Sequence, residues 1–390
     1  MEPVYSAVIV LAFIAVGELV SIWSKARVPG LLVAMLGIFI FAQIGIVPTT
    51  VVDDSLLPQV YAILVLPLLF HMGSLIPLQT MLEQWRSVII SISGMLMAVL
   101  LLAAVVIPLF SFEHFVAGAG PLAGGVVSTG LTTDGLTAAG VSSMIIVLPA
   151  LILMMQSLPA MPMTNFLLRR YARSLRDSGQ LDKLAEQVKS KDGQVKTKKK
   201  LVTLPSTLAH NELFILFCVL IGGSLASLLA VPTNIPSSII ALILGIASTA
   251  IGLTPERALE RSSSFGIAMA SIVAIVMAPL LTASLGDVIA ALVPMLVIIV
   301  IGGSGIALGG FVATKLLRWK PELGMSVALT AMYGFPADYL LTNEVARSVA
   351  RDETERQQLT DAMLPAMLVG GFTSVSAGSV VIASVLVSFV

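Results

Sequence analysis

The chain has 390 residues, of which 57% are hydrophobic and 11% charged, and its 22 basic and 22 acidic side chains balance to zero. At a mean hydropathy of +1.00 there is too little polar surface to cover a water-soluble core, which excludes an ordinary soluble enzyme or a nucleic-acid-binding protein and leaves an all-α polytopic membrane protein. One cysteine, Cys218, excludes an internal disulfide and a cluster of thiolate metal ligands.

Apolar runs long enough to cross a hydrocarbon core of about 30 Å as helices fall near 5–23, 30–47, 57–76, 87–110 and 143–167. The first run lacks the basic flank and cleavage site of a signal peptide and is read as the first span. A second set follows near 211–231, 237–252, 264–284, 288–313 and 360–388. Before the last run of each set the oily pattern is interrupted. GGVVSTGLTTDGLTAAG, Gly124 to Gly140, and TAMYGFPADYLLTNE, Thr330 to Glu344, each bring glycine, hydroxyls and one aspartate. Such composition suits backbone that lines a polar cavity rather than lipid.

The two sets resemble one another. VPGLLVAMLGIFIFAQIGIVP from Val28 lies without a gap over IPSSIIALILGIASTAIGLTP from Ile235, so that Pro29, Gly45 and Pro48 fall on Pro236, Gly252 and Pro255. Further along, PLL at Pro67 and LPA at Leu148 are matched to PLL at Pro279 and LPA at Leu364. The expected organisation is a first repeat over 1–168 with a re-entrant loop near 120–141. A basic cytoplasmic linker over 169–209 follows, and then a second repeat over 210–390 with a re-entrant loop near 323–344.

Basic residues set the orientation. Lys25, Arg27, Arg86, the run from Arg169 to Lys200, Arg257, Arg261, Lys315, Arg318, Lys320, Arg347, Arg351 and Arg356 all fall in alternate loops, which marks those loops as cytoplasmic and puts both termini outside. The loop at Glu113 is then outside and that at Arg169 inside, with one full span, 143–167, between them. Gly124–Gly140 must therefore enter and leave from the outer face, and by the same count Thr330–Glu344 from the inner face. Five spans per half invert the second half relative to the first, an arrangement that places a site near the midplane. The basic linker reads as a solvated connector that obeys the charge rule.

Asp134 and Asp338 are the leading candidates for chemistry, because a carboxylate within the membrane is costly unless a cation, proton or donor compensates it. With Thr133 and Thr137 they offer hard oxygen ligands to a coupling cation, Na+ or H+. Ser128, Thr129 and Thr132 in the first stretch and Thr342 and Asn343 in the second are expected to face a solute. Gln156, Thr373 and Ser374 join them, since QSLPAMP from Gln156 and GGFTSVSAGS from Gly370 interrupt the last span of each half. Arg347 could pair with a solute carboxylate. Helix capping and simple close packing are the competing explanations of these residues. No covalent enzyme and no bound cofactor is expected, since no nucleophile elbow, nucleotide loop or zinc-type cluster occurs.

GFPADYLLTNEVARSV from Gly334 resembles the second loop of the bacterial sodium/glutamate symporter family, and the plan of five plus five spans with a re-entrant loop before each last span resembles that family over nearly the whole chain. In the first loop Gly124-Gly125 matches the family's glycine pair, but VVSTGLTTDG follows without the family's histidine. The resemblance therefore implies the fold more than it implies glutamate. It implies a homodimeric transporter of the cytoplasmic membrane that carries a small organic anion, an amino acid or carboxylate, with Na+ or H+ by an elevator motion. Two other readings fit the same residues: a cation/proton antiporter using Asp134 and Asp338, and the membrane subunit of a sodium-pumping decarboxylase.

Overall fold

Long apolar stretches without water can satisfy their backbone only by local helical hydrogen bonds, and among the described residues all regular structure is helical. The computed structural model describes residues 1–24, 28–75, 82–178, 205, 208, 211–233, 235–334 and 337–390. Lys25, Arg27, most of the basic linker and Phe335-Pro336 of the second polar stretch lie outside the described residues.

The first half contains α1 (Pro3–Trp23), α2 (Gly30–Gln43), α3 (Val51–Asp54), α4 (Leu57–Ser74) and α5 (Trp85–Leu109). It continues with α6 (Phe112–Ala123), α7 (Gly125–Ala138), α8 (Ser143–Ile146), α9 (Leu148–Met155) and α10 (Ser157–Asp177). The second half runs α11 (Glu212–Thr233), α12 (Ser237–Ile251), α13 (Ala258–Arg261), α14 (Phe265–Thr282) and α15 (Leu285–Leu316). After it come α16 (Pro321–Leu329), a 3-10 turn (Thr330–Met332), α17 (Ala337–Val349), α18 (Glu353–Phe372), a π turn (Thr373–Gly378) and α19 (Ser379–Val387).

Eight helical segments are long and apolar enough to cross a membrane, with Ser143–Asp177 and Glu353–Val387 each counting as one. Two shorter apolar helices, α2 and α12, complete the ten runs expected from the sequence.

The matched prolines and glycines of the two halves do the same work. Pro29 and Pro236 each stand as the extended residue before a helix, with ψ of 130° and 131°. Gly45 and Gly252 each stop that helix in the left-handed region, at φ of 76° and 90°, a conformation that costs glycine little. Three residues past Pro48 and past Pro255 a four-residue helix begins. Leu56 and Ser263, which stand at the same offset, both take positive φ. Pro67 and Pro279 do not correspond in this frame. Each lies inside an 18-residue helix, but Pro67 is the eleventh residue of α4 and Pro279 the fifteenth of α14, so that sequence match is fortuitous.

Packing relies on small residues where helices cross closely. The longest contact joins α5 to α15, where Gly305 lies on the backbone of Ala98. Helix α4 packs on α12, α14 and α11. There Gly73 touches the Leu242 carbonyl and Gly245 the Phe70 carbonyl. The larger apolar core surrounds α5, α9, α15 and α18, and a smaller one surrounds α4, α11, α12 and α14. Each polar stretch packs on the last span of both halves: α6 and α7 on α9 and on α19, and α16 and α17 on α18 and on α10.

Candidate functional site

The polar stretches are largely helical rather than irregular: in the first, α6 packs on α7, and in the second, α16 and α17 stand on either side of Gly334 and both pack on α10. Helices α6 and α7 have 12 and 14 residues, roughly 18 and 21 Å at 1.5 Å per residue, too short to cross the bilayer one after the other. The glycines expected to loosen this stretch instead serve close contact within a helix. Gly130 faces Ile272, and Gly135 faces Val387. Among the described residues the helices are interrupted around Gly124 and around Tyr333-Gly334. Gly124 and Gly125 take φ of 158° and 67°, and Gly334 marks the tip of the second hairpin at 61°.

Both tips close on one side chain. A Cβ on Gly125 would lie 2.8 Å from Val375 Cγ1, and one on Gly334 would lie 2.9 Å from Val375 Cγ2. A Cβ on Gly124 would lie 2.7 Å from the Ser374 carbonyl oxygen. Val375 sits in the π turn that interrupts the last span of the second half, a defect typical of functional positions. The last span of the first half breaks at Gln156, between α9 and α10. Pro159 accounts for that break, since it has no N–H to return to the Met155 carbonyl and its ring crowds that group.

Most candidate hydroxyls donate to their own helix. Ser128 bonds the Gly124 carbonyl, Thr129 the Gly125 carbonyl at 2.8 Å, Thr132 the Ser128 carbonyl at 2.8 Å and Thr137 the Thr133 carbonyl at 2.7 Å. In the second half Thr342 bonds the Asp338 carbonyl at 2.7 Å, Thr373 that of Val369 at 2.7 Å and Ser374 that of Gly370 at 2.9 Å. Their protons are committed, so what they offer a ligand is oxygen lone pairs. The buried Thr133 hydroxyl and Gln156 Oε1 have no hydrogen-bond partner.

The aspartates occupy different kinds of place. Asp338 is completely buried, four residues past Gly334. Its Oδ1 accepts from the Tyr339 N–H at 2.7 Å at the start of α17, while its Oδ2 has no partner. The helix start thus occupies one oxygen and leaves the other unpartnered. Oδ2 lies against Gly371, beside Thr330. Four residues past Gly124 the first hairpin has Ser128, not an acid.

Asp134 is ten residues past Gly124, where the second hairpin has Glu344. It is exposed and lines an open cavity of about 460 Å³ with Ser237, Ser238, Ser384 and Ser388, between α7, α12 and the end of α19. Asp338 thus lies buried near Gly334, and Asp134 lies exposed well away from Gly124. A helix carries successive positions outward at about 1.5 Å per residue, so a shared glycine-rich stretch does not mean a shared depth.

Arg347 is exposed near the end of α17, away from its tip, and Thr137 is exposed in the last turn of α7. Asn343 is half-buried and turns its amide back to the Tyr339 carbonyl at 2.9 Å. His71 is buried at the other end of α4, where its Nδ1 accepts from the Leu259 N–H at 3.2 Å, tying α4 to α13. That bond places its proton on Nε2. Sequence reasoning missed Val375 and Gly371, whose importance lies in long-range contact. It also missed Thr164, a buried hydroxyl without a hydrogen bond on α10. The spacing from Gly334 to Asp338 and from Gly124 to Ser128 was the signal that could have separated the two aspartates.

Comparison with protein-family models finds no match to this chain, and comparison with curated proteins finds none either.

Proposed function

We propose that the chain is a secondary active transporter built from two oppositely oriented repeats, 1–168 and 210–390, joined by the basic segment 169–209. The shared roles of Pro29 with Pro236 and Gly45 with Gly252, and the packing of each polar stretch on the last spans of both halves, support this plan. It acts in the cytoplasmic membrane as a homodimer, by the elevator motion that the resemblance to sodium/glutamate symporters implies.

One observation carries the functional reading: a fully buried carboxylate, Asp338, with an unpartnered oxygen at a hairpin tip beside a broken helix. A protein that spends free energy on an uncompensated acid within the membrane has a use for the compensating cation. Asp338 is the coupling residue, and the cation is Na+ or, in the second place, H+. The first tip has the complementary property. Helix α7 starts there with no side-chain cap, and its first N–H groups and dipole favour an anion. A small organic anion, an amino acid or carboxylate, binds at that end, with Gln156, Thr373 and Ser374 nearby.

The test is uptake of labelled amino acids, dicarboxylates and 2-oxoacids into proteoliposomes under an imposed Na+ gradient, and then an H+ gradient. Accumulation of one solute with one gradient, lost in Asp338→Asn, is the expected result. A second reading is favoured by the exposed position of Arg347, which leaves the tips without a guanidinium to receive an anion. It is a cation/proton antiporter, and it predicts ion-driven proton flux with no solute accumulation.

A further inference from the structure

We propose that Thr164, Tyr333 and Asp338 form a single site for one dehydrated Na+ that bridges the last span of the first half to the hairpin of the second. The proposal rests on the transporter reading and specifies its ion site. Three buried oxygens lack hydrogen-bond partners in this neighbourhood: Thr164 Oγ1 on α10, the Tyr333 hydroxyl just after the 3-10 turn, and Asp338 Oδ2 in the first turn of α17. Helix α10 packs on both the 3-10 turn and α17. The Tyr333 hydroxyl lies within interaction range of Thr164 and within electrostatic reach of Asp338.

Buried polar atoms are normally paired, and each exception asks for an explanation. These three exceptions come from elements that pack on one another, and a shared partner would explain them together. Bound water would satisfy the two hydroxyls but would leave the carboxylate charge uncompensated in a membrane interior. A small hard cation answers all three, because carboxylate, phenol and hydroxyl oxygens are the ligands it takes. Thr330 adds a fourth oxygen beside Asp338 and Gly371, since its proton goes to the Val327 carbonyl at 2.6 Å and its lone pairs stay free. The ligands come from both halves. Loading the ion therefore adds a link between α10 and the start of α17, and releasing it removes that link.

The test uses the purified full-length protein, heated in NaCl, KCl or choline chloride at equal ionic strength. A ligand that binds the native state raises the unfolding temperature with its concentration. The expected result is a saturable rise with NaCl that KCl and choline chloride do not give. Thr164→Val and Tyr333→Phe should each raise the half-saturating Na+ concentration about tenfold or more, since each removes one ligand oxygen. Thr164→Ser, which keeps the hydroxyl, should stay near the parent and shows that a loss in Thr164→Val is not misfolding. A Na+ response unchanged in Thr164→Val and Tyr333→Phe, or one that choline reproduces, overturns the site. If solute uptake by the parent still follows a Na+ gradient in that case, the transporter reading stands and the bridging site alone is wrong. If neither solute nor ion moves in proteoliposomes, the transporter reading fails.

Discussion

The Asp338 carboxylate rests on the backbone of Gly371, where a Cβ would come within 2.5 Å of Oδ2. Gly371 lies in the final turn of α18, where alanine is the better helix former by about 1 kcal/mol. Gly371→Ala should therefore fold while driving the carboxylate from its place. The expected outcome is normal expression and thermal stability with cation-driven uptake reduced at least tenfold. Uptake at the parent rate would show that the Asp338–Gly371 contact is irrelevant to coupling.

At the first tip, Gly125 combines a left-handed backbone with contact on Val375. Gly125→Ala should be destabilising by about 1–2 kcal/mol for the left-handed conformation, with a further loss from the collision. Val375→Ala in the same protein should restore the collision part and leave the backbone part. A double-mutant cycle on thermal unfolding measures the coupling, and strict additivity would contradict the contact.

Asp134 stands in an open groove with serines rather than at a tip. Asp134→Asn should leave the ion dependence of uptake unchanged and shift KM by a few-fold at most. Asp338→Asn should abolish coupling. Equal loss in both variants would restore the view that the two acids act as a pair.

Arg170 and Arg176 extend α10 to the base of the second hairpin. Arg170 pairs with Glu322 at 3.2 Å, and Arg176 Nη1 donates to the Val349 carbonyl at 2.9 Å, so both arms are held at their roots. The Arg170 side chain is largely exposed, and such pairs add little to stability. Arg176→Ala should instead loosen the last turn of α17, read as faster amide exchange there, with unfolding temperature nearly unchanged. Unaltered exchange in that turn would exclude the strap.

Much of this fold was legible because membrane spans follow from length and hydropathy alone, and all ten apolar runs became helices. Pro29, Gly45 and their partners were legible too, because each sets a local backbone angle that a single residue decides. Pro67 and Pro279 misled, since a proline inside a span has no fixed address. The glycine-rich stretches misled in another way. Gly130 and Gly135 suggested open backbone, but a glycine that admits a neighbouring side chain looks the same in sequence as one that bends the chain. Asp338 was found by its type and surroundings. Gly371, which it touches, comes from another element, and nothing local in the chain announces that the two meet.

From Gly118 to Thr133 the first tip carries no charged residue, and from Gly324 to Thr342 the second carries Asp338 alone. With its carboxylate ionised and no ion bound, this centre has a charge of minus one. Any movement of it through the membrane field is then work against or with the voltage, about 2.3 kcal/mol per 100 mV for a complete crossing. For the proposed carrier in a cell negative inside, the field drives the empty form outward. A monovalent cation on Asp338 cancels that charge and releases the centre from the field. In the proposed carrier the single acid makes the empty and cation-loaded centres electrically distinct.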